Sequence, residues 1–146
     1  LSHFVYKMNV YAQELEMHNS KFIEPTGLNP MNFSTVNDIV HLTNAVSNFT
    51  IVQNAAQSNK VITNPDIPKI KKKKKSIPIV NNPTSIFFGK EGLITIKTGF
   101  TNAAGFCITM LVKANDRLYN IVVLGAKTKQ ERQKIVEKSL KAIYNA

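Results

Sequence analysis

The run Ile94-Thr95-Ile96-Lys97-Thr98-Gly99-Phe100-Thr101-Asn102-Ala103-Ala104-Gly105 constrains this chain more than any other stretch. Its first half is rich in β-branched residues, as a strand is, and its second half is a loop bounded by glycines. On a period of two, Ile94, Ile96 and Thr98 share one face, and Leu93, Thr95 and Lys97 share the other. Lys97 and Thr98 therefore point to opposite faces. They can serve one ligand only where the strand lies at the edge of a sheet, twists there, or lets Thr98 act from its rim. Gly99, directly after them, makes a local distortion cheap. The pattern predicts an edge strand over residues 93–98 that borders a groove, with Lys97 exposed and charged.

Lys97-Thr98-Gly99 is the Lys-Thr-Gly triplet of serine penicillin-recognising enzymes. The longer run Lys97-Thr98-Gly99-Phe100-Thr101-Asn102-Ala103-Ala104-Gly105, followed by Cys107, resembles the third motif of the D-alanyl-D-alanine endopeptidase and carboxypeptidase family. The resemblance implies a substrate peptide that ends in D-Ala or carries a nearby cross-link. The Lys97 ammonium and the Thr98 hydroxyl would hold its carboxylate. Gly99 would let the substrate backbone lie against the strand, and the Phe100 N–H would serve as one oxyanion donor.

The first third of the chain is similar to the segment that precedes this strand in the same peptidases. The resemblance is carried by Phe4, Met8, Asn9, Ala12, Leu15, Met17, Phe22, Pro25-Thr26-Gly27-Leu28, Ser34, Thr35 and Asp38. It implies a helix, a turn and a second helix beside the catalytic cleft. The residues give the same elements. Phe4, Val5, Met8, Tyr11, Ala12 and Leu15 recur at helical spacing over residues 3–16. Pro25-Thr26-Gly27 marks a turn, and Ser34 or Thr35 caps a second helix reaching to about residue 49, with Asp38 in its first turn.

Ile51-Val52 and Val61-Ile62 read as short strands. Six lysines, Lys69, Lys71, Lys72, Lys73, Lys74 and Lys75, lie between Pro68 and Pro78 and account for much of the net charge of +10. Prolines argue against a helix there, so residues 63–78 are expected to be an exposed, solvated loop. An anionic cell-wall polymer is the functional candidate for it. No aromatic residue is interleaved with the lysines, which argues against nucleic acid. Asn81-Asn82-Pro83-Thr84 resembles a turn that precedes the catalytic strand in the family.

Residues 106–113 and 118–126 read as an antiparallel hairpin closed by Ala114-Asn115-Asp116-Arg117. Cys107 reads as a small buried hydrophobe rather than a nucleophile. Thr128 and Glu131 fit a capping box, and Ile135, Val136, Leu140 and Ile143 form the stripe of a last helix to about residue 144.

A serine peptidase of this kind also needs Ser-x-x-Lys, which sets a lysine beside the nucleophile on a helix, and a Ser-x-Asn element. None of the eight serines has Lys three residues on or Asn two residues on. In the family both motifs lie N-terminal to the matched segment. The start, Leu1-Ser2-His3-Phe4, has neither Met nor a signal pattern and reads as a fragment or a processed product. His3, His18 and His41 match no metal-ligand spacing, so no metal or other cofactor is expected. No apolar run is long enough to cross a membrane as a helix.

The 146 residues are expected to form one α/β (α+β) unit: an antiparallel sheet with flanking helices, part of a β-lactamase and DD-peptidase-like domain. The function implied by the resemblance is that of an extracytoplasmic, periplasmic peptidoglycan DD-peptidase or its C-terminal part. Its partners would be the stem peptide or cell-wall polymer, together with a separate N-terminal half or other assembly subunits. The alternative is a catalytically inactive structural or interaction protein, derived from this fold, in an assembly that contacts the cell wall.

Overall fold

A computed structural model describes residues 1–57, 87 and 91–145. The expected strand at 61–62, the lysine run and the turn at 81–84 lie outside the described residues. Within them the order is α1 (Ser2–Glu14), α2 (Val36–Val46), α3 (Thr50–Gln57), β1 (Leu93–Thr101), β2 (Gly105–Ala114), β3 (Arg117–Ala126) and α4 (Lys129–Tyr144). This is the expected α/β composition, an antiparallel sheet flanked by helices.

The three strands pair in the order β1-β2-β3, both pairs antiparallel. The β2–β3 turn is tight because Asn115 and Asp116 take φ 49° and 58°, the left-handed pair that matches the twist of a two-residue hairpin. One face of the sheet carries Ile96, Ile108, Met110, Val112, Ile121 and Val123, all buried, and packs on Val136 of α4. Thr128 opens α4: its side chain accepts from the Glu131 N–H at 3.0 Å. Glu131 returns the contact by accepting from the Lys127 N–H at 2.7 Å, so the capping box reaches one residue further back than its usual form.

The other face of the sheet meets α2. Thr43 Oγ1 donates to the Ile39 carbonyl at 2.6 Å and lies 2.7 Å from Thr109 Oγ1. Asn120 Nδ2 of β3 donates to Asn44 Oδ1 at 2.8 Å. α3 runs beside β1, where Gln57 Nε2 donates to the Leu93 carbonyl. The expected strand at Ile51-Val52 is therefore a correction: these residues belong to α3. The two β-branched residues suggested a strand, but Ile51, Val52, Ala55 and Ala56 recur at helical spacing. The Val52 and Gln53 N–H groups both donate to the Phe49 carbonyl, which starts the helix.

Strict alternation along β1 also fails at its start. A bulge between Leu93 and Thr95 moves Leu93 onto the Ile96 face, where it joins the core, and leaves Thr95 and Lys97 on the α2 side.

The N-terminal segment closes on itself by side-chain bonds to backbone. α1 ends two residues before its expected limit, in a Schellman motif. Glu16 takes φ 59°, the Met17 N–H donates to the Ala12 carbonyl, and the Glu16 N–H donates to the Gln13 carbonyl. Asn9 ties α1 to the next segment, accepting from the Phe22 N–H and donating to the Phe22 carbonyl. Thr35, one of two expected caps, is the N-cap of α2, its side chain accepting from the Asp38 N–H at 3.2 Å. Asp38 is buried and accepts from the Asn19 N–H at 2.8 Å and the Ser20 hydroxyl at 2.6 Å. These bonds, the Ser20 hydroxyl first, hold its carboxyl below the usual carboxylate range.

Candidate functional site

β1 is the edge strand of the sheet among the described residues. Along this edge runs a groove of about 930 Å³, walled on one side by α2 and α3 and closed at one end by the first turn of α4. Thr95 and Lys97 enter it from one face of β1, and Ile96 and Thr98 from the other. The opposed directions of Lys97 and Thr98 are thus reconciled: the groove wraps the strand edge, so side chains from both faces reach it. Gly99 and Phe100 continue the same wall.

Lys97 is exposed, and its ammonium donates to the Thr98 carbonyl. Backbone groups two residues apart face the same side of a strand. The Phe100 N–H therefore lies on the same side as the Thr98 carbonyl. A Cβ built on Gly99 would meet nothing within 4 Å, so the fold itself places no demand for glycine there. The room over Gly99 is open to a ligand.

Phe100 is 53% exposed and stacks on Phe106 of β2, ring centres 4.2 Å apart. Behind them sits Arg132 of α4, 5% exposed, with its guanidinium 5.9 Å from the Phe106 ring centre. Its Nη1 donates to the Cys107 carbonyl at 3.1 Å, and among the described residues no carboxylate pairs with it. Burial lowers its pKa from the usual arginine value, which still leaves it charged at neutral pH. Arg132 also lines the groove, as does Lys129, so two further cations accompany Lys97. Sequence reasoning missed Arg132. The signal was present: Arg132, Val136, Leu140 and Ile143 share one stripe of α4, so a charge stands in the core-facing register.

Cys107 corrects another expectation. It is half-buried rather than fully buried: it sits where β2 slips out of register with β3, and its Sγ reaches the carbonyls of Ala104 and Gly105. The three histidines are all exposed. No helix among the described residues is long and apolar enough to cross a membrane.

The antiparallel sheet between helices, with Lys-Thr-Gly on its edge strand among the described residues, matches the fold of DD-peptidases and penicillin-binding proteins. The sequence profile described as D-alanyl-D-alanine carboxypeptidase matches residues 1–128, and the chain belongs to that family. It is 31% identical over 123 residues to a D-alanyl-D-alanine endopeptidase of Escherichia coli, a match covering 84% of this chain and 38% of the relative. It is 30% identical over 140 residues to a D-alanyl-D-alanine carboxypeptidase of Bacillus subtilis, covering 94% of this chain and 34% of the relative. A penicillin-binding protein of Listeria monocytogenes, solved with cefotaxime bound, superposes with TM-score 0.76 at 25% identity, over 98% of this chain and 56% of that one. The chain thus spans well under half the length of the curated relatives it matches.

Proposed function

We propose that this chain is the substrate-binding wall of a peptidoglycan DD-peptidase. It holds the C-terminal carboxylate of a D-Ala peptide at Lys97 and Thr98, with Arg132 as a further cation behind them. The scissile carbonyl lies over Gly99, with the Phe100 N–H as one oxyanion donor. The observation that carries this reading is the groove along the β1 edge, which brings Lys97, Thr98, Gly99 and Phe100 together from both faces of one strand. The reaction of the complete domain is acyl transfer from a D-Ala amide to a serine and then to water. This chain binds without cleaving, because none of its serines has the Ser-x-x-Lys context. The site of action is extracytoplasmic, where the peptidoglycan lies. The serine is supplied by the remainder of the domain, the part the relatives possess beyond the matched region.

The test is a titration of ¹⁵N-labelled chain with acetyl-D-Ala-D-Ala. Resonances of residues 97–100 shift, and Lys97→Ala weakens binding by about tenfold, as expected for loss of one charge-assisted bond. Unchanged binding in Lys97→Ala would overturn the site.

A further inference from the structure

A second cavity lies on the α4 side of the sheet, with a volume of about 350 Å³, at the small end for ligand cavities. No residue lines both it and the groove. The sheet makes its floor. Met110 and Val112 stand two apart on β2 and share a face, and the bulge in β1 brings Leu93 beside them; all three are 3% exposed or less. α4 supplies one wall through Glu137, Leu140 and Tyr144, whose spacing of three and then four residues puts them on one flank of the helix. Glu91 closes one end, and its backbone is clamped from two sides. The Tyr144 hydroxyl donates to the Glu91 carbonyl at 3.1 Å, and the Lys113 N–H donates to the Gly92 carbonyl at 2.7 Å.

The charge in this cavity runs against the composition of the chain. Lysine and arginine outnumber aspartate and glutamate by 19 to 9. Yet the described residues lining the cavity include two carboxylates, Glu91 and Glu137, and no cation. Neither carboxylate joins an ion pair among the described residues, and Glu137 accepts only a long bond from Gln133 Nε2, at 3.4 Å. The neighbouring lysines do not neutralise them. Lys113 turns to the other face of β2 and pairs with Asp116 at 3.2 Å. Lys141, one turn beyond Glu137, is exposed and leaves it unpaired. An apolar floor under two anions is complementary to a molecule with an apolar body and a positive end.

We propose that this cavity binds a small amphipathic cation, a short aliphatic primary amine. Its hydrocarbon chain lies on Leu93, Met110 and Val112, and its ammonium meets the carboxylates of Glu91 and Glu137. The site is separate from the groove and stands whether or not residues 97–100 hold a D-Ala peptide.

The experiment titrates the chain, labelled with ¹⁵N and with ¹³C at its methyl groups, with hexylamine, hexanol and hexanoate at constant ionic strength. Hexylamine shifts the methyl resonances of Leu93, Met110, Val112 and Leu140 and leaves the amides of residues 97–100 in place. It binds about tenfold tighter than hexanol, and hexanoate does not bind. Glu91→Gln and Glu137→Gln, which break no ion pair, keep the spectrum of the folded chain. Each reduces the preference for the amine, and the double variant binds hexylamine and hexanol alike. Equal binding of hexylamine and hexanol by the parent chain, or a preference that survives the double substitution, overturns the proposal. So do shifts confined to exposed acidic residues with the four methyl-bearing side chains unmoved, because the amine then binds surface charge and not the cavity.

Discussion

Replacing Thr43 and Thr109 by valine, singly and together, measures what holds α2 against the sheet beside the groove. The two hydroxyls lie 2.7 Å apart, and Thr43 is 1% exposed. Thr43 uses its proton on the Ile39 carbonyl at 2.6 Å, so Thr109 must be the donor of the pair. This asymmetry sets the magnitudes. Thr109→Val removes one hydrogen bond but leaves Thr43 donating as before, at a cost of about 1 kcal/mol. Thr43→Val also strands the Thr109 hydroxyl, half-buried at the groove wall, and costs about 2 kcal/mol. The double variant leaves nothing stranded and also costs about 2 kcal/mol, a coupling of about 1 kcal/mol between the sites. Urea midpoints at constant slope give all three values. Costs that simply add, or a Thr109→Val more damaging than Thr43→Val, would refute this assignment of donor and acceptor.

Glu16→Gly stabilises the chain by about 0.5–1 kcal/mol in the same urea assay, because Glu16 ends α1 at φ 59°, which costs a side-chain-bearing residue more than glycine. Gly99→Val leaves the urea midpoint within about 0.5 kcal/mol of the parent, since nothing lies near its Cβ, yet abolishes the acetyl-D-Ala-D-Ala shifts. Incubation with a β-lactam leaves the mass of the chain unchanged; a stoichiometric acyl adduct on any serine would contradict the absence of a nucleophile. Glu24, bonded first by the Thr26 hydroxyl, has its pKa lowered from 4.5 to about 2, so its ionised form stabilises the loop fully above pH 4.5 and ceases to as pH falls through 2. Amide spectra of residues 22–33 should lose order over that window in the parent chain, with no such step in Glu24→Gln.

Much of this architecture was legible because local signals and tertiary demands agree. The α1 stripe, the Thr35 cap with Asp38, the Asn115-Asp116 turn and the Thr128–Glu131 box each act within a few residues, and each forms. α3 was misread because Ile51-Val52 is a short apolar pair in which helix and strand signals overlap. Its helical form rests on packing along β1, which no local rule encodes. The bulge at Leu93 was invisible for the same reason: it suits the core, not the pattern of the strand. At the groove, the run from Lys97 to Phe100 was readable as one stretch of an edge strand. Arg132 was readable as a charge in the core-facing stripe of α4, but not as a neighbour of Lys97, because it lies far along the chain and is brought near only by the hairpin and α4.

The open side of β1 has a consequence for the chain in concentrated solution. Backbone groups of β1 that pair with no strand among the described residues are open to β1 of another copy, and the strand is rich in isoleucine and threonine. Edges of this kind seed end-to-end sheet growth unless a charge interrupts them. Lys97, exposed midway along β1, is such a charge. The same ammonium repels its own duplicate, so removing it invites self-assembly.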